Sequence, residues 1–329
     1  MPEKTGRIVL DRFESRALQG NPHGDPYVRT IPVYLPPSYD VSNSRYPVIY
    51  WCHGFAQTAL WGVNGSPGIP SLSMCMDRII TEGAPEAILV MIDAFTRFGG
   101  SLYLNSPANG RYEDYIIDEL IPYIDHTYRT EPGRDHRGID GKSSGGFGSL
   151  ALAIRHPESF SAVASHSGDM FFEAAYRPLF WEFLNQAHRA GGVERFLEQY
   201  LALPKRYDGA YIPALSMCFS PNPDRPPYYF DLPVDIVTGE LLPDVWSRWT
   251  ALDPVTMAES CARALRSMRM IYFDCGNRDQ YYLHFGARLL SRKLTTLGIK
   301  HEHYEYEDDH LYVNYRYVES LRRIAAVIA

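Results

Sequence analysis

Two short runs with almost no polar residue constrain this chain more than anything else in it. Pro47-Val48-Ile49-Tyr50-Trp51-Cys52 and Ala87-Ile88-Leu89-Val90-Met91-Ile92 are each one strand long. A strand with one wet face alternates polar and apolar residues. A strand that is apolar at consecutive positions needs cover on both faces. Two such strands call for helices above and below a sheet, which is the layering of an α/β protein with mainly parallel strands. Shorter strand candidates continue the series at 136–140, 161–165, 268–275 and 300–307.

Helix-like segments fall between them. The stretch 112–128 places Tyr115, Ile116, Leu120, Tyr123 and Ile124 at i, i+3/i+4 spacing. The stretch 144–155 is small and apolar and is followed by Pro157, while 280–297 and 311–328 are amphipathic. The start of the chain differs. Alternating runs at 8–13 and 27–35, parted by the turn-rich Gly20-Asn21-Pro22-His23-Gly24-Asp25-Pro26, predict antiparallel strands. The 329 residues suffice for one large α/β domain spanning 1–329. Residues 171–257 break the strand–helix rhythm, helical at first and then rich in Pro and aromatic residues. They are too many for a plain loop and predict an insertion over one end of the sheet, a candidate cap, before a later core strand.

Charge and cysteine usage narrow the function classes. A formal charge of −7 offers no basic face for phosphates, so nucleic acid is not expected as a partner. No stretch approaches the roughly 20 apolar residues of a membrane span. Charges interrupt every apolar run of MPEKTGRIVLDRFESRALQ, which predicts a cytoplasmic protein without a signal peptide. Cys52, Cys75, Cys218, Cys261 and Cys275 are scattered and predict free thiols. Homo-oligomerisation is left open.

Gly141-Lys142-Ser143-Ser144-Gly145 matches G-x-S-x-G. Ser144 cannot be the central serine, because Lys142 would then fill a glycine position. With a strand candidate before it and a small-residue helix after it, the motif predicts a tight strand-to-helix turn that exposes the Ser143 hydroxyl. A serine nucleophile needs N–H donors for the developing oxyanion. One is expected from Ser144 at the helix N-terminus. The second is expected from the loop His53-Gly54-Phe55 after the first buried strand. Phe55 N–H is the candidate, and Gly54 is the alternative in the same turn. His53 is read as a residue ordering that loop.

With this turn the order along the chain is Ser, then acid, then His. Of the downstream histidines, His284 falls in a helix, and His301 and His303 lie on one face of a strand. His310 follows that strand directly and has the address of the base. The acid belongs after the preceding strand, where Asp274 and Asp279 compete. Asp279, in the loop beyond Gly276, is preferred for reaching an imidazole across the sheet end. A metal cluster of His301, His303, Asp308 and His310 is the weaker reading of the same residues.

These stretches resemble the esterase D-like branch of α/β hydrolases, which includes S-formylglutathione hydrolases, feruloyl esterases, enterochelin esterases and mycolyltransferases. The resemblance rests on Val33-Tyr34-Leu35-Pro36-Pro37-Ser38-Tyr39, Arg45 to Gly54, Glu113-Asp114-Tyr115, Glu119 to Asp125, Gly141 to Gly146, His166-Ser167-Gly168, Asp274 through Asp279, and His310. It implies Ser143, Asp279 and His310 as a triad, with Phe55 and Ser144 as backbone donors. Many members have glycine where this chain has Asp309, a carboxylate able to raise the pKa of His310 or simply to face solvent. The expected activity is hydrolysis of small-molecule carboxylic esters without metal or cofactor. S-formylglutathione-type thioester hydrolysis and acyl transfer to sugars are the alternatives, and a non-enzymatic binding protein is the reading from another class. Phe55, Trp61, Tyr103, Trp246 and Tyr281 are candidate pocket walls, each competing with a role as ordinary core or surface aromatic.

Overall fold

The computed structural model describes residues 5–66, 68–202 and 210–329. The first four residues of the N-terminal stretch, Pro67, and 203–209 within the 171–257 stretch lie outside the described residues. Eight strands form one sheet: β1 (Arg7–Glu14), β2 (Val28–Leu35), β3 (Val48–Cys52), β4 (Ile88–Ile92), β5 (Arg137–Gly141), β6 (Ala162–His166), β7 (Met270–Gly276) and β8 (Glu302–Tyr306). Their order is β1-β2-β4-β3-β5-β6-β7-β8. β2 pairs antiparallel with β1 and β4, and every pairing from β4 to β8 is parallel.

The two apolar runs are β3 and β4, at the centre of this sheet and buried at every position. Their alternate residues divide between two cores. Val48, Tyr50, Cys52, Ile88, Val90 and Ile92 face one layer; Ile49, Trp51, Leu89 and Met91 face the other. Five helices matter to the site: α1 (Leu72–Thr81), α2 (Ser144–Arg155), α3 (Tyr211–Phe219), α4 (Leu283–Thr296) and α5 (Tyr317–Ile328). α1 and α5 cover the second face, while α2, α3 and α4 join the first.

The helix expected at 112–128 contains a slipped turn. α-Helical Tyr112–Asp114 and Ile121–Thr127 flank a π-helical Tyr115–Leu120, and the Ile121 N–H reaches Ile116 O. Pro122, which has no N–H to donate, follows immediately. The helix predicted at 280–297 starts only at Leu283, because Asp279 to Tyr282 form a turn. The terminal helix likewise starts at Tyr317, after a 3-10 turn at Val313–Arg316.

Between β6 and β7, the described residues of the 171–257 stretch form several helices and, at 220–242, turns with isolated bridges, and aromatic residues of these helices meet α2. Phe147 of α2 lies 6.0 Å from Phe172 and 5.6 Å from Phe219, and Phe219 lies 5.3 Å from Trp249. These rings share the buried cluster of the first sheet face. Among the described residues, no helix is long and apolar enough to cross a membrane. The five cysteines are unpaired.

Candidate active site

β5 ends at Gly141, α2 begins at Ser144, and Ser143 turns the corner with φ 58° and ψ −127°. A residue with a Cβ adopts this conformation only when its surroundings impose it. Here Ser143 N–H donates to His166 O at 2.9 Å, Gly145 N–H to Lys142 O at 2.8 Å, and Phe147 N–H to Ser143 O at 2.9 Å. The flanking glycines answer a packing demand. A Cβ on Gly141 would stand 2.2 Å from Gly145 O, and one on Gly145 would stand 2.1 Å from Cys52 O. The G-x-S-x-G spacing is therefore a condition for β3, β5 and α2 to meet.

His310 lies in the loop after β8. Its Nε2 is 3.0 Å from Ser143 Oγ, and its Nδ1 is 2.7 Å from Asp279 Oδ2. The His310 backbone N–H donates to Gln280 Oε1 at 2.8 Å, tying this loop to the one that carries Asp279. Asp279 Oδ1 accepts the Tyr281 N–H at 2.9 Å and the Leu283 N–H at 3.4 Å. Burial opposes ionisation of Asp279, but His310 and these N–H groups outweigh it and hold the carboxyl below the usual range. The structure thus brings three residues from distant parts of the chain into one hydrogen-bonded line.

The loop after β3 separates the two oxyanion candidates. Gly54 N–H is engaged by Gln57 Oε1 at 3.0 Å. Phe55 N–H makes no hydrogen bond to a described residue. Ser144 opens α2, where helix geometry leaves its N–H without an intrahelical acceptor. His53 is buried beneath this loop. Its Nε2 accepts the Ala94 N–H at 3.0 Å, which assigns the proton to Nδ1, 2.8 Å from Gly54 O. Burial lowers its pKa, so it sits there as a neutral brace.

The other expected residues take varied places. Asp274 is committed elsewhere, to His166 and Arg316. Asp309 Oδ1 accepts the Leu311 N–H at 2.7 Å and orders its own loop. Lys142 is half-buried; burial, opposed by Asp279 and Asp309, lowers its ammonium to about 8. His301 bonds Ser291 Oγ at 2.8 Å, and His303 stacks on Phe273. Among the described residues, no three His, Cys, Asp or Glu side chains are grouped to hold a metal.

Of the pocket candidates, the Tyr281 ring stands edge-on to His310 at 4.9 Å and is 41% exposed. Trp61 is 58% exposed. Phe55 packs its ring against Gly99 and, at 4.5 Å, against Tyr211. Tyr103 and Trp246 are interior residues. Tyr103 is buried against Gly148 and donates to His53 O at 2.7 Å, supporting the loop from below. Trp246 is buried and donates to Glu173 Oε1 at 2.7 Å. An aromatic residue type fits core and pocket equally, so sequence did not separate them.

Two groups were missed. Asp169, just after β6, is buried and its Oδ2 accepts from Tyr211 (2.8 Å), Ser144 (3.1 Å) and Tyr176 (3.1 Å) hydroxyls. Its partners come from the 171–257 stretch and from the residue after Ser143, a grouping with no local spacing to reveal it. The other lies under the opposite sheet face. His166 Nδ1 is 2.7 Å from Asp274 Oδ1, and its Nε2 is 2.8 Å from Ser320 Oγ, which in turn donates to Asp140 Oδ2 at 2.6 Å. All four side chains are buried. Burial opposes a charged His166, but Asp274 and Asp140 outweigh it and raise its pKa.

With this geometry in place, known proteins give it a context. The family described as "Putative esterase" matches residues 27–317. The chain belongs to this esterase family. An esterase from Mycobacterium tuberculosis is 30% identical over 171 residues, covering 50% of this chain and 33% of that protein. An endo-1,4-beta-xylanase/feruloyl esterase from Xylanibacter ruminicola is 31% identical over 153 residues, 44% of this chain and 20% of its own length. These esterase matches therefore span a third or less of those relatives. Among solved structures, a ferulic acid esterase aligns with a TM-score of 0.64 at 22% identity over 99% of both chains. An S-formylglutathione hydrolase from Agrobacterium tumefaciens aligns at 0.64 and 17% identity, over 99% of this chain and 96% of its own. Both establish the α/β-hydrolase fold expected from the strand pattern and the Ser143 turn.

Proposed function

We propose that this esterase-family chain hydrolyses carboxylic esters through Ser143, with His310 as base and Asp279 as the residue that orients it. The observation carrying the reading is the line Asp279–His310–Ser143, with contacts of 2.7 and 3.0 Å, ending on a serine held at positive φ. Asp279 holds the proton on His310 Nδ1, which leaves Nε2 free to accept the Ser143 proton as Oγ attacks the ester carbonyl. Phe55 and Ser144 N–H groups receive the oxyanion. His310 then protonates the departing alcohol, and water, deprotonated by the same imidazole, releases the acid from Ser143. The substrate is a small-molecule ester, and the 171–257 region belongs to the same α/β domain and closes one side of the site.

The test is Ser143→Ala assayed on p-nitrophenyl acetate, with a fluorophosphonate probe on the parent protein. Turnover should fall at least about a thousandfold, and the probe should attach at Ser143. A folded Ser143→Ala protein with near-parental turnover refutes the reading. Varying acyl length against alcohol or thiol bulk then ranks esters against thioesters.

A further inference from the structure

The insertion does more than cover the site. Tyr211, the first residue of α3, places its ring against Phe55 at 4.5 Å with the planes at 76°. Its hydroxyl donates to Asp169 Oδ2 at 2.8 Å and lies 3.2 Å from Ser144 Oγ. Ser144 Oγ reaches the same Oδ2 at 3.1 Å, as does the hydroxyl of Tyr176. One buried carboxylate oxygen thus gathers three hydroxyls, two from the insertion and one from the residue after the nucleophile. Asp169 is itself fixed to the turn, its N–H directed at Ser143 O at 3.4 Å. The Phe55 ring is also packed on Gly99, where any Cβ would come within 2.3 Å of it.

We infer that Tyr211 and Asp169 are positioning residues that set the spacing of the two oxyanion donors: the Phe55 loop is held through the Tyr211 ring, and Ser144 through its hydroxyl on Asp169. This rests on the reading of Phe55 and Ser144 as those donors. The physical need is plain. The two N–H groups come from loops 89 positions apart in the chain (144 − 55). Each must lie within hydrogen-bond reach of an oxygen that becomes negative only in the transition state. A donor on a loose loop must be reoriented at that moment, and the benefit of a preorganised site is lost. Neither donor is joined to the other through the sheet alone, because Phe55 lies beyond the end of β3 and Ser144 beyond the end of β5. The Tyr211–Asp169 pair adds a side-chain tie between the two loops beyond the packing of Gly145 on Cys52 O and His53 O. The insertion therefore contributes to rate and not only to enclosure.

Tyr211→Phe keeps the ring on Phe55 and removes the hydroxyl. Ser144→Ala keeps the N–H, suits a helix start, and removes the other arm. Both are compared with the parent and with Ser143→Ala on p-nitrophenyl acetate. A trifluoromethyl ketone inhibitor, whose adduct on Ser143 carries the oxyanion, supplies the second readout. Each single variant should lower kcat about tenfold and weaken ketone inhibition by a similar factor, with KM within about twofold. The double variant should be no worse than about twofold below the weaker single, because both arms end on one carboxylate. A merely structural role would lower the melting temperature without moving ketone affinity.

Unchanged ketone inhibition in folded variants, or a change confined to KM, overturns the inference. Factors that multiply in the double variant also overturn it. If Ser143→Ala retains turnover, the proposed chemistry itself has failed. If Ser143→Ala is inactive while both arm variants behave as parent, only the brace is wrong. Should Tyr211→Phe not fold, Ser144→Ala alone decides through ketone affinity.

Discussion

Replacing Asp279 with asparagine exchanges an oxygen for an NH2 and is expected to lower kcat by about four orders of magnitude. The size of the effect follows from which way the amide must face. Asp279 Oδ1 accepts N–H groups from Tyr281 and Leu283. An NH2 there would oppose two donors, so the asparagine carbonyl has to take that position. The NH2 is then left where Oδ2 now stands, 2.7 Å from His310 Nδ1. It donates to Nδ1, and the imidazole proton moves to Nε2, which lies 3.0 Å from Ser143 Oγ. Nε2–H can then only donate to Ser143 Oγ, and Ser143 has no base to take its proton. A loss of about 10⁴ corresponds to roughly 5.5 kcal/mol of transition-state stabilisation. Folding should suffer by only about 1–2 kcal/mol, since volume and the backbone contacts are kept. Steady-state turnover of p-nitrophenyl acetate, alongside urea denaturation, measures both quantities. A fall in kcat of less than tenfold would refute the assignment of Asp279 as the group that sets the tautomer.

Two further outcomes concern the scaffold. Gly141→Ala puts a methyl carbon 2.2 Å from Gly145 O, backbone against backbone, whereas Gly100→Ala meets nothing closer than 3.7 Å. The first should lose about 3 kcal/mol or more in urea denaturation, and the second less than about 1 kcal/mol; equal losses would contradict the packing account of the motif. His166 has a folded-state pKa raised above its ordinary value of about 6.5. Its charged form therefore contributes stability that is fully present below pH ~6.5 and is lost as pH rises through the folded value. Lys142, lowered to about 8, acts in the opposite sense above that pH, so the comparison is with His166→Asn at each pH. The stability gap between parent and variant should narrow from pH 6 to 9, and a constant gap would rule out a charged His166.

The central sheet was legible because β3 and β4 are apolar at consecutive positions, a pattern that only two-sided burial explains. Ser143 and His310 were legible because the turn and the strand order fix their addresses. Asp279 was preferred on the same ground, and the structure gives the reason Asp274 is unavailable: its carboxylate already serves His166, Tyr272 and Arg316. That Gly54 N–H is taken by Gln57 is a side-chain contact no spacing rule foretells. Tyr211 and Asp169 were invisible for a stronger reason. They meet across 42 positions of the chain, with no repeat or fixed spacing to announce the contact. Contacts of that kind are fixed by packing, and packing is not local.

The Ser320–His166–Asp274 line reproduces, atom type for atom type, the wiring of Ser143–His310–Asp279. Its current runs the other way. Ser320 gives its hydroxyl proton to Asp140, so it can only accept from the imidazole and never surrender a proton to it. The molecule thus carries its own inert control. Two serines of one chain have matching neighbours, and only the one with an idle lone pair beside it and an open approach should react with a phosphonate. Reactivity here is decided less by who the neighbours are than by which of them still has room for a proton.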